Sequence, residues 1–451
     1  MRLAFKAAMV VVLTLVILIP LQMVRGTIQE RQQFRETAVR DIGANYGGRQ
    51  WLAGPVLVVP YDERSETTVT AEDGTLRRSV RQRSGQWTFF PATLAMSGVL
   101  KPDVRRRGLH AVRVYAWDGD AEARFDVAIP ADADGVQRRI GQPWLSVGIA
   151  DVGGLQGTPT LFANGAALTV EQGLGHADGP GVHARLPAPA AGARLHLDVR
   201  AALVLRGTER FAMLPLGDAN DLRLRSSWPS PKFEGRSPQQ DIDAQGFRAR
   251  WQLAAVASNA QRRYLQQPDL AVLAQPAIAA GGDPREAAAT DAAVSVALID
   301  PVNPYLQADR ASKYGLLFVL LTFIGFFMFE LIKQVRVHPI QYLLVGMAIA
   351  IFFLLLLSLS EHVAFGLSYL AAAAACIGLI GFYLAAVLRS RARGAGFAAM
   401  LGTLYALLYG LLLSEDNALV LGSALLFTIL AAIMVGTRKL DWYQLSARPP
   451  A

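Results

Sequence analysis

Residues 314–388 constrain this chain more than any other stretch. They hold three apolar runs, separated only by short polar breaks at 333–341 and 358–362. A helix that crosses the core of a bilayer needs about 20 apolar residues. A helix on the surface of a soluble core carries an apolar stripe with a polar face opposite. These runs are apolar on all sides, so the segment is read as membrane and the rest of the chain is placed relative to it. Further runs at 3–24, 397–413 and 418–435 bring the expected number of spans to six.

Hydrophobic residues make up 52% of the 451 positions and charged residues 18%. Much of the charge falls in one block, residues 26–313, inserted between the first and second spans. The expected organisation is a signal-anchor helix over 1–25, a β-rich domain over 26–313, a five-helix bundle over 314–437 and a tail over 438–451. The first run follows Arg2, is interrupted only by Lys6, and exceeds the 7–15 residues of a cleaved signal core. Gln22, Met23 and Arg25 stand at its end in place of a small-x-small cleavage site, so it is read as an uncleaved anchor. Pro20 predicts a kink near its outer end, because proline removes a helical hydrogen bond.

Glu36 and Arg40 lie four apart, a helix-supporting spacing, so the anchor helix is expected to continue to Tyr46 and to stop at Gly47 and Gly48. From residue 54 the period changes. Short runs rich in Val, Thr and aromatic residues alternate with Gly and Pro, and Asp73-Gly74 is a hairpin signal. Strands are expected over 145–149, 167–170, 195–205, 222–227 and 246–257. Strands at this spacing predict a sandwich or barrel-like domain, built as one unit or two similar halves. Residues 275–292 read as an exposed loop.

Positive charge in short loops marks the cytoplasmic side. Lys333 and Arg336 lie in one loop, Arg389, Arg391 and Arg393 in another, and Arg438 and Lys439 follow the last span. The alternate loops carry Glu361, Glu415 and Asp416 and no Lys or Arg. Both termini are therefore expected in the cytoplasm and residues 26–313 outside, with Trp442 and Tyr443 as an aromatic anchor. The net charge of +8 lies at membrane ends and scattered through the block, so nucleic acid is not expected as a partner.

The chemistry-bearing candidates are few. Charge within a membrane is costly and usually functional, but no charge lies at the centre of a span. Glu330 lies near an inner end beside Lys333, as an interfacial ion pair or a transport carboxylate. Glu361 and His362 lie at an outer end, as a plain loop or a proton relay. Asp151 opens the glycine-rich DVGGLQG, which lacks the GK[ST] of a phosphate loop and reads first as a turn; with His183 it is the one candidate metal or acid–base pair. Trp228, in SSWPSPKFEG, reads as an aromatic packed on a core or as a docking residue. No HExxH, CxxC or GxSxG pattern occurs, and the single cysteine, Cys376, lies inside an apolar run, which leaves the outer block without disulfide or thiolate chemistry. No cofactor is expected. Gly346, Gly366, Gly378, Gly381 and Gly422 are candidates for close helix packing.

HPIQYLLVGMAIAIFFLLLLSLSEH, beginning at His338, resembles the bacterial CreD family of inner-membrane, cell-envelope-integrity proteins. LAGPVLVVPY, GVHARLP, SSWPSPKFEG, GFRARW, DRASKYGLLFVLLTFIGFFMFE, ALVLGSALLF and TRKLDWY extend the resemblance in order over nearly the whole chain. The resemblance implies a multi-pass inner-membrane protein, a periplasmic outer domain, and a place in the CreBC regulon, with links to envelope integrity, colicin tolerance and β-lactam response. It supplies no catalytic residue or cofactor. The function expected is therefore non-enzymatic: binding an envelope component, or a membrane or periplasmic protein, through the outer domain, with the lipid bilayer as the other partner. A transporter-like bundle using Glu330, Glu361 and His362 is the first alternative, and a hydrolase using Asp151 and His183 the second.

Overall fold

The computed structural model describes residues 3–70, 76–175, 179–266, 293–298, 304–333, 337–413 and 418–438. The chain divides into two compact units: Met1–Arg35 with Val302–Ala451, and Glu36–Pro301.

The helical unit begins with α1 (Leu3–Tyr46), a 44-residue helix that continues through Pro20 and whose last turns, from Glu36, fall in the other unit. Its buried residues Val10, Ile17, Leu21, Val24 and Ile28 recur at helical spacing and join the core of this unit. After α2 (Ala260–Gln266), which belongs to the other unit, come α3 (Pro304–Lys313), α4 (Gly315–Lys333), α5 (Pro339–Ser360), α6 (Phe365–Val387), α7 (Arg391–Leu413) and α8 (Ala418–Thr437). Among the described residues four helices are long and apolar enough to cross a membrane: α1, α5, α6 and α7. A fifth span results if α3 and α4, bent by 45° at their junction, are counted as one. The expected span beginning at Tyr314 thus has a bent approach, α3, that the apolar pattern did not predict. Three of the five nominated glycines sit at close contacts. A Cβ on Gly346 would meet Ile17 at 2.7 Å, one on Gly366 the Tyr409 hydroxyl at 2.9 Å, and one on Gly381 the Ala398 methyl at 3.0 Å. Gly378 and Gly422 face open space.

The second unit is mainly β. One sheet follows the order β14 (Pro231–Glu234), β17 (Val294–Leu298), β12 (Arg210–Leu214), β1 (Gln50–Thr70), β6 (Trp144–Ile149), β10 (Gly181–Arg185), β9 (Val170–Gln172); β2 (Leu76–Phe89) and β5 (Val136–Ile140) also pair with β1. The other follows the order β15 (Gln239–Asp243), β16 (Gly246–Ala254), β13 (Ala219–Ser226), β3 (Thr93–Arg107), β4 (His110–Ala128), β11 (Arg194–Thr208), β7 (Leu155–Ala163), β8 (Ala166–Leu168). Within the described residues these are sheets of nine and eight strands that share one apolar core, so the block is not two separate halves. The expected strand over 167–170 is two short strands, β8 and β9, in different sheets.

The burial pattern explains the architecture. Residues 51–59 of β1, 145–149 of β6 and all of β17 are buried at nearly every position, as in strands covered on both faces. In contrast β13 and β16 alternate: Leu222, Leu224, Phe247, Ala249 and Trp251 point inward, and Asp221, Arg223, Arg225, Arg248 and Gln252 point outward. This period-two pattern gives the eight-stranded sheet one core face and one open face. In the core Trp117 stacks on Phe211 with centroids 5.1 Å apart. Its indole fits only because Gly98 and Gly119, paired across β3 and β4, lack side chains there. The short α2 (Ala260–Gln266) adds Ala260 and Tyr264 to the same core. The Asp73-Gly74 turn, residues 275–292, and Trp442 and Tyr443 lie outside the described residues.

Candidate functional site

Pairing registers put the outward residues of the eight-stranded sheet into rows that cross five strands. One row reads Arg250, Arg223, Ser97, Asp120, Ala202, and the next reads Arg248, Arg225, Val99, Asp118, Val204. A third row on the other flank reads Gln252, Asp221, Ala95, Glu122, Arg200. The arginines of β13 and β16 form a basic side, the carboxylates of β4 an acidic side, and the small residues of β3 a low floor between them. With strands about 4.8 Å apart, the two sides are separated by about 10 Å. Two adjoining hollows lie along this face, of about 1050 Å³ and about 880 Å³.

Much of this charge is paired within the sheet. Lys101 lies 3.0 Å from Asp118, Arg124 2.9 Å from Asp198, and Arg200 3.8 Å from Glu122. Asp221 accepts from Arg250 at 2.8 Å and also pairs with Arg223. Hydrogen bonds from Arg250 and then Arg223 hold its carboxyl down at about 2. At the sheet's end the Arg194 guanidinium holds Asp126 below the usual carboxylate range. Among the described residues four charged groups are left over, Asp241 of β15 among them. Asp120 accepts only from the Ser97 hydroxyl, at 3.3 Å. Arg225 and Arg248 have no side-chain partner among the described residues, although Asp241 stands opposite Arg248 in register. The face is chemically bipolar, with free charge of each sign. Its signal was legible as DLRLRS and FRARW, where every second residue is charged, but sequence reasoning used those runs to place strands and, for GFRARW, to carry the family resemblance.

The residues nominated from the sequence are dispersed. Asp151 is a structural hub. Its two carboxylate oxygens accept from the Gly48 and Gly153 amides at 3.0 and 2.9 Å, and its backbone exchanges hydrogen bonds with the Gln50 side chain. The turn thereby fixes the end of α1, where Gly47 adopts φ +115° and a Cβ would meet the Arg206 carbonyl at 2.5 Å. His183 is buried on β10. Its Nδ1 lies 2.9 Å from the Gly173 carbonyl and its Nε2 3.5 Å from Glu171, which also meets Arg185. His183 stands opposite Ser146, so Asp151, five residues further along, is on the order of 15 Å away at the rise of a strand. The two form no acid–base pair. Among the described residues no group of three or more His, Cys, Asp or Glu is placed to hold a metal ion.

Trp228 packs against the core with its Nε1 donating to the Ser230 carbonyl at 2.9 Å and the Arg113 guanidinium 4.5 Å above its ring. The motif around it is the crossover between sheets, leaving β13 and entering β14. Phe233, at its far end, meets Phe247 and Trp251 edge to face.

In the helical unit Glu330 is buried and joins α4 to α5. It accepts from the Tyr342 hydroxyl at 3.0 Å and the Val337 amide at 3.2 Å. The Lys333 side chain expected beside it lies outside the described residues. His338 caps α5, accepting from the Ile340 amide at 3.3 Å, while the Gln341 side chain accepts from the His338 amide at 3.1 Å, a reciprocal cap of the capping-box kind. Glu361 accepts from the Tyr305 hydroxyl at 3.2 Å and lies 3.7 Å from Arg31 of α1. His362 is exposed in the turn that follows. Glu361 is thus tied to an arginine and a tyrosine that sequence reasoning did not connect to it.

A family profile described as "Inner membrane protein CreD" matches residues 2–443. The Inner membrane protein CreD of Escherichia coli (strain K12) is 34% identical over 435 residues, covering 96% of this chain and 92% of that protein.

Proposed function

The chain belongs to the CreD family, and from that premise we propose an inner-membrane protein whose β unit, in the periplasm, binds an envelope component in support of envelope integrity. The binding surface is the open face of the eight-stranded sheet. The observation that carries this reading is the pair of adjoining hollows on a face with uncompensated charge of both signs. A sheet face built only to meet water has no need of arginines stacked in register without counterions.

The reading takes six spans as the anchor: α1, α5, α6, α7 and the bent α3–α4 pair, with the 20-residue apolar α8 added as the sixth. The Lys and Arg asymmetry of the short loops supports a cytoplasmic position for both termini. Glu330 and Glu361 have local partners, which favours structural roles for them over a transport pathway. The separation of Asp151 from His183 weighs against hydrolysis.

The test uses the full chain in intact cells. Its single cysteine, Cys376, is buried, so a cysteine introduced at Gln252, in the larger hollow, gives one accessible thiol. A cysteine at Val80, exposed on β2, is the control. The reading predicts a discrete cross-linked adduct from position 252 and none from position 80. Adducts of the same kind and yield from both positions would refute it.

A further inference from the structure

A second feature of the β unit lies apart from the charged rows. The tip of the β3–β4 hairpin carries Arg105, Arg106 and Arg107, and it meets the last turns of α1. Together with Arg206 of β11 these arginines surround Tyr46 and Asp41 in a hollow of about 400 Å³. The Arg206 guanidinium stands 4.9 Å from the centre of the Tyr46 ring and that of Arg105 5.5 Å. The two guanidinium carbons therefore lie within about 10 Å of each other. Arg107 lies 3.2 Å from Asp41, and Arg105 3.5 Å from Asp103. Four arginines thus face two carboxylates, and the surplus is positive.

Like charges are gathered around one ring only where something offsets their repulsion. A tyrosine face offsets part of it, since cation–π contacts at exposed sites contribute well under a full ion pair. The remainder calls for an anion. Guanidinium groups are planar forks that match tetrahedral or planar oxyanions in a bidentate way, and several forks converging on one point suit a phosphoryl group with its two or three terminal oxygens. The hollow holds one small ligand and no more. Asn45 donates to the Asp41 backbone at 2.9 Å, which braces the helical wall of the hollow.

We propose that the hollow between the end of α1 and the Arg105–Arg107 hairpin tip is a binding site for a phosphoryl group. Its source is either a phospholipid headgroup or a soluble phosphate ester; the recognising chemistry is the same. The site is separate from the open sheet face, and neither reading depends on the other.

The full chain in detergent is titrated calorimetrically with inorganic pyrophosphate at low ionic strength. Wild type is expected to bind saturably, and R105Q/R206Q at least ten-fold more weakly. R105K/R206K keeps the charge but loses the fork geometry, and falls between them. Competition by glycerophosphoglycerol assigns the source to a lipid headgroup, and competition by glycerol 3-phosphate alone assigns it to a soluble ester; either result supports the site. If R105Q/R206Q melts like wild type and binds pyrophosphate equally well, or if wild type binds none, the proposal is overturned. Should the glutamine pair fail to fold, the lysine pair decides, and unchanged affinity there overturns it.

Discussion

The two units spend their polar residues in opposite ways. In the β unit charge stands in rows on an open face, where water offsets whatever the partners do not. In the helical unit the buried hydroxyls turn back on their own helices: Thr14 donates to Val10, Thr322 to Phe318 and Ser360 to Leu357. Among the described residues the polar contacts that cross between helices include Glu330 with Tyr342, Glu361 with Tyr305 and Arg31, and Tyr369 with the Tyr405 carbonyl. The difference follows from the solvent. A polar group facing hydrocarbon has no water to fall back on, so it is satisfied locally or used as a specific link. Polar residues in the helical unit therefore specify packing, whereas those on the sheet face remain free to meet a ligand.

The sharpest test of that contrast removes the core both sheets share. Trp117→Ala is expected to cost about 4 kcal/mol, as for large aromatic truncations in cores, read as loss of cooperative unfolding of the β unit. Next is the carboxylate link between α4 and α5. Glu330→Ala strands the Tyr342 hydroxyl and the Val337 amide and is expected to cost about 2–3 kcal/mol, seen as a lower melting temperature in detergent. Glu330→Gln should recover most of it, because an amide oxygen still accepts; no recovery would mean that the charge itself matters there.

Smaller effects belong to the open face. Asp221 has its carboxyl held at about 2 by Arg250 and Arg223, below an ordinary value near 3.9. Its contribution is fully present above the ordinary value and is lost as pH falls through about 2. Asp221→Asn should shift the neutral-pH melting midpoint by no more than about 2 °C, since exposed pairs contribute little, and should flatten the acid limb of the stability curve between those two values. At the far end of the scale, R225Q/R248Q should leave the melting midpoint unchanged and still remove the adduct formed at position 252. A destabilised double variant would mean that these arginines are structural and would erase the contrast.

How far the sequence carried depends on the same distinction. The anchor helix to Tyr46, its stop at Gly47 and the strands of the block were legible, because period and glycine placement are local signals. The bent α3–α4 junction was not, because apolar composition is silent about direction. Asp151 and His183 could be nominated but not related, since their separation is set by the β6–β10 register. Trp228 was left between a core-packing and a docking role, and its motif's place as the crossover between sheets needed the topology. The charged rows lie in five strands drawn from residues 93–254, and no local pattern announces which of those strands become neighbours.

The most direct measurement compares labelling rates of Gln252→Cys and Val80→Cys by a small membrane-impermeant maleimide, in intact cells and on the purified full chain. The account predicts that both positions label without permeabilising the inner membrane. Position 252 should be at least five-fold slower in cells than in purified protein, because its face is occupied, while position 80 is unchanged. Equal rates at both positions in both settings would contradict an occupied binding face. Labelling that requires inner-membrane permeabilisation would contradict the placement of the β unit itself.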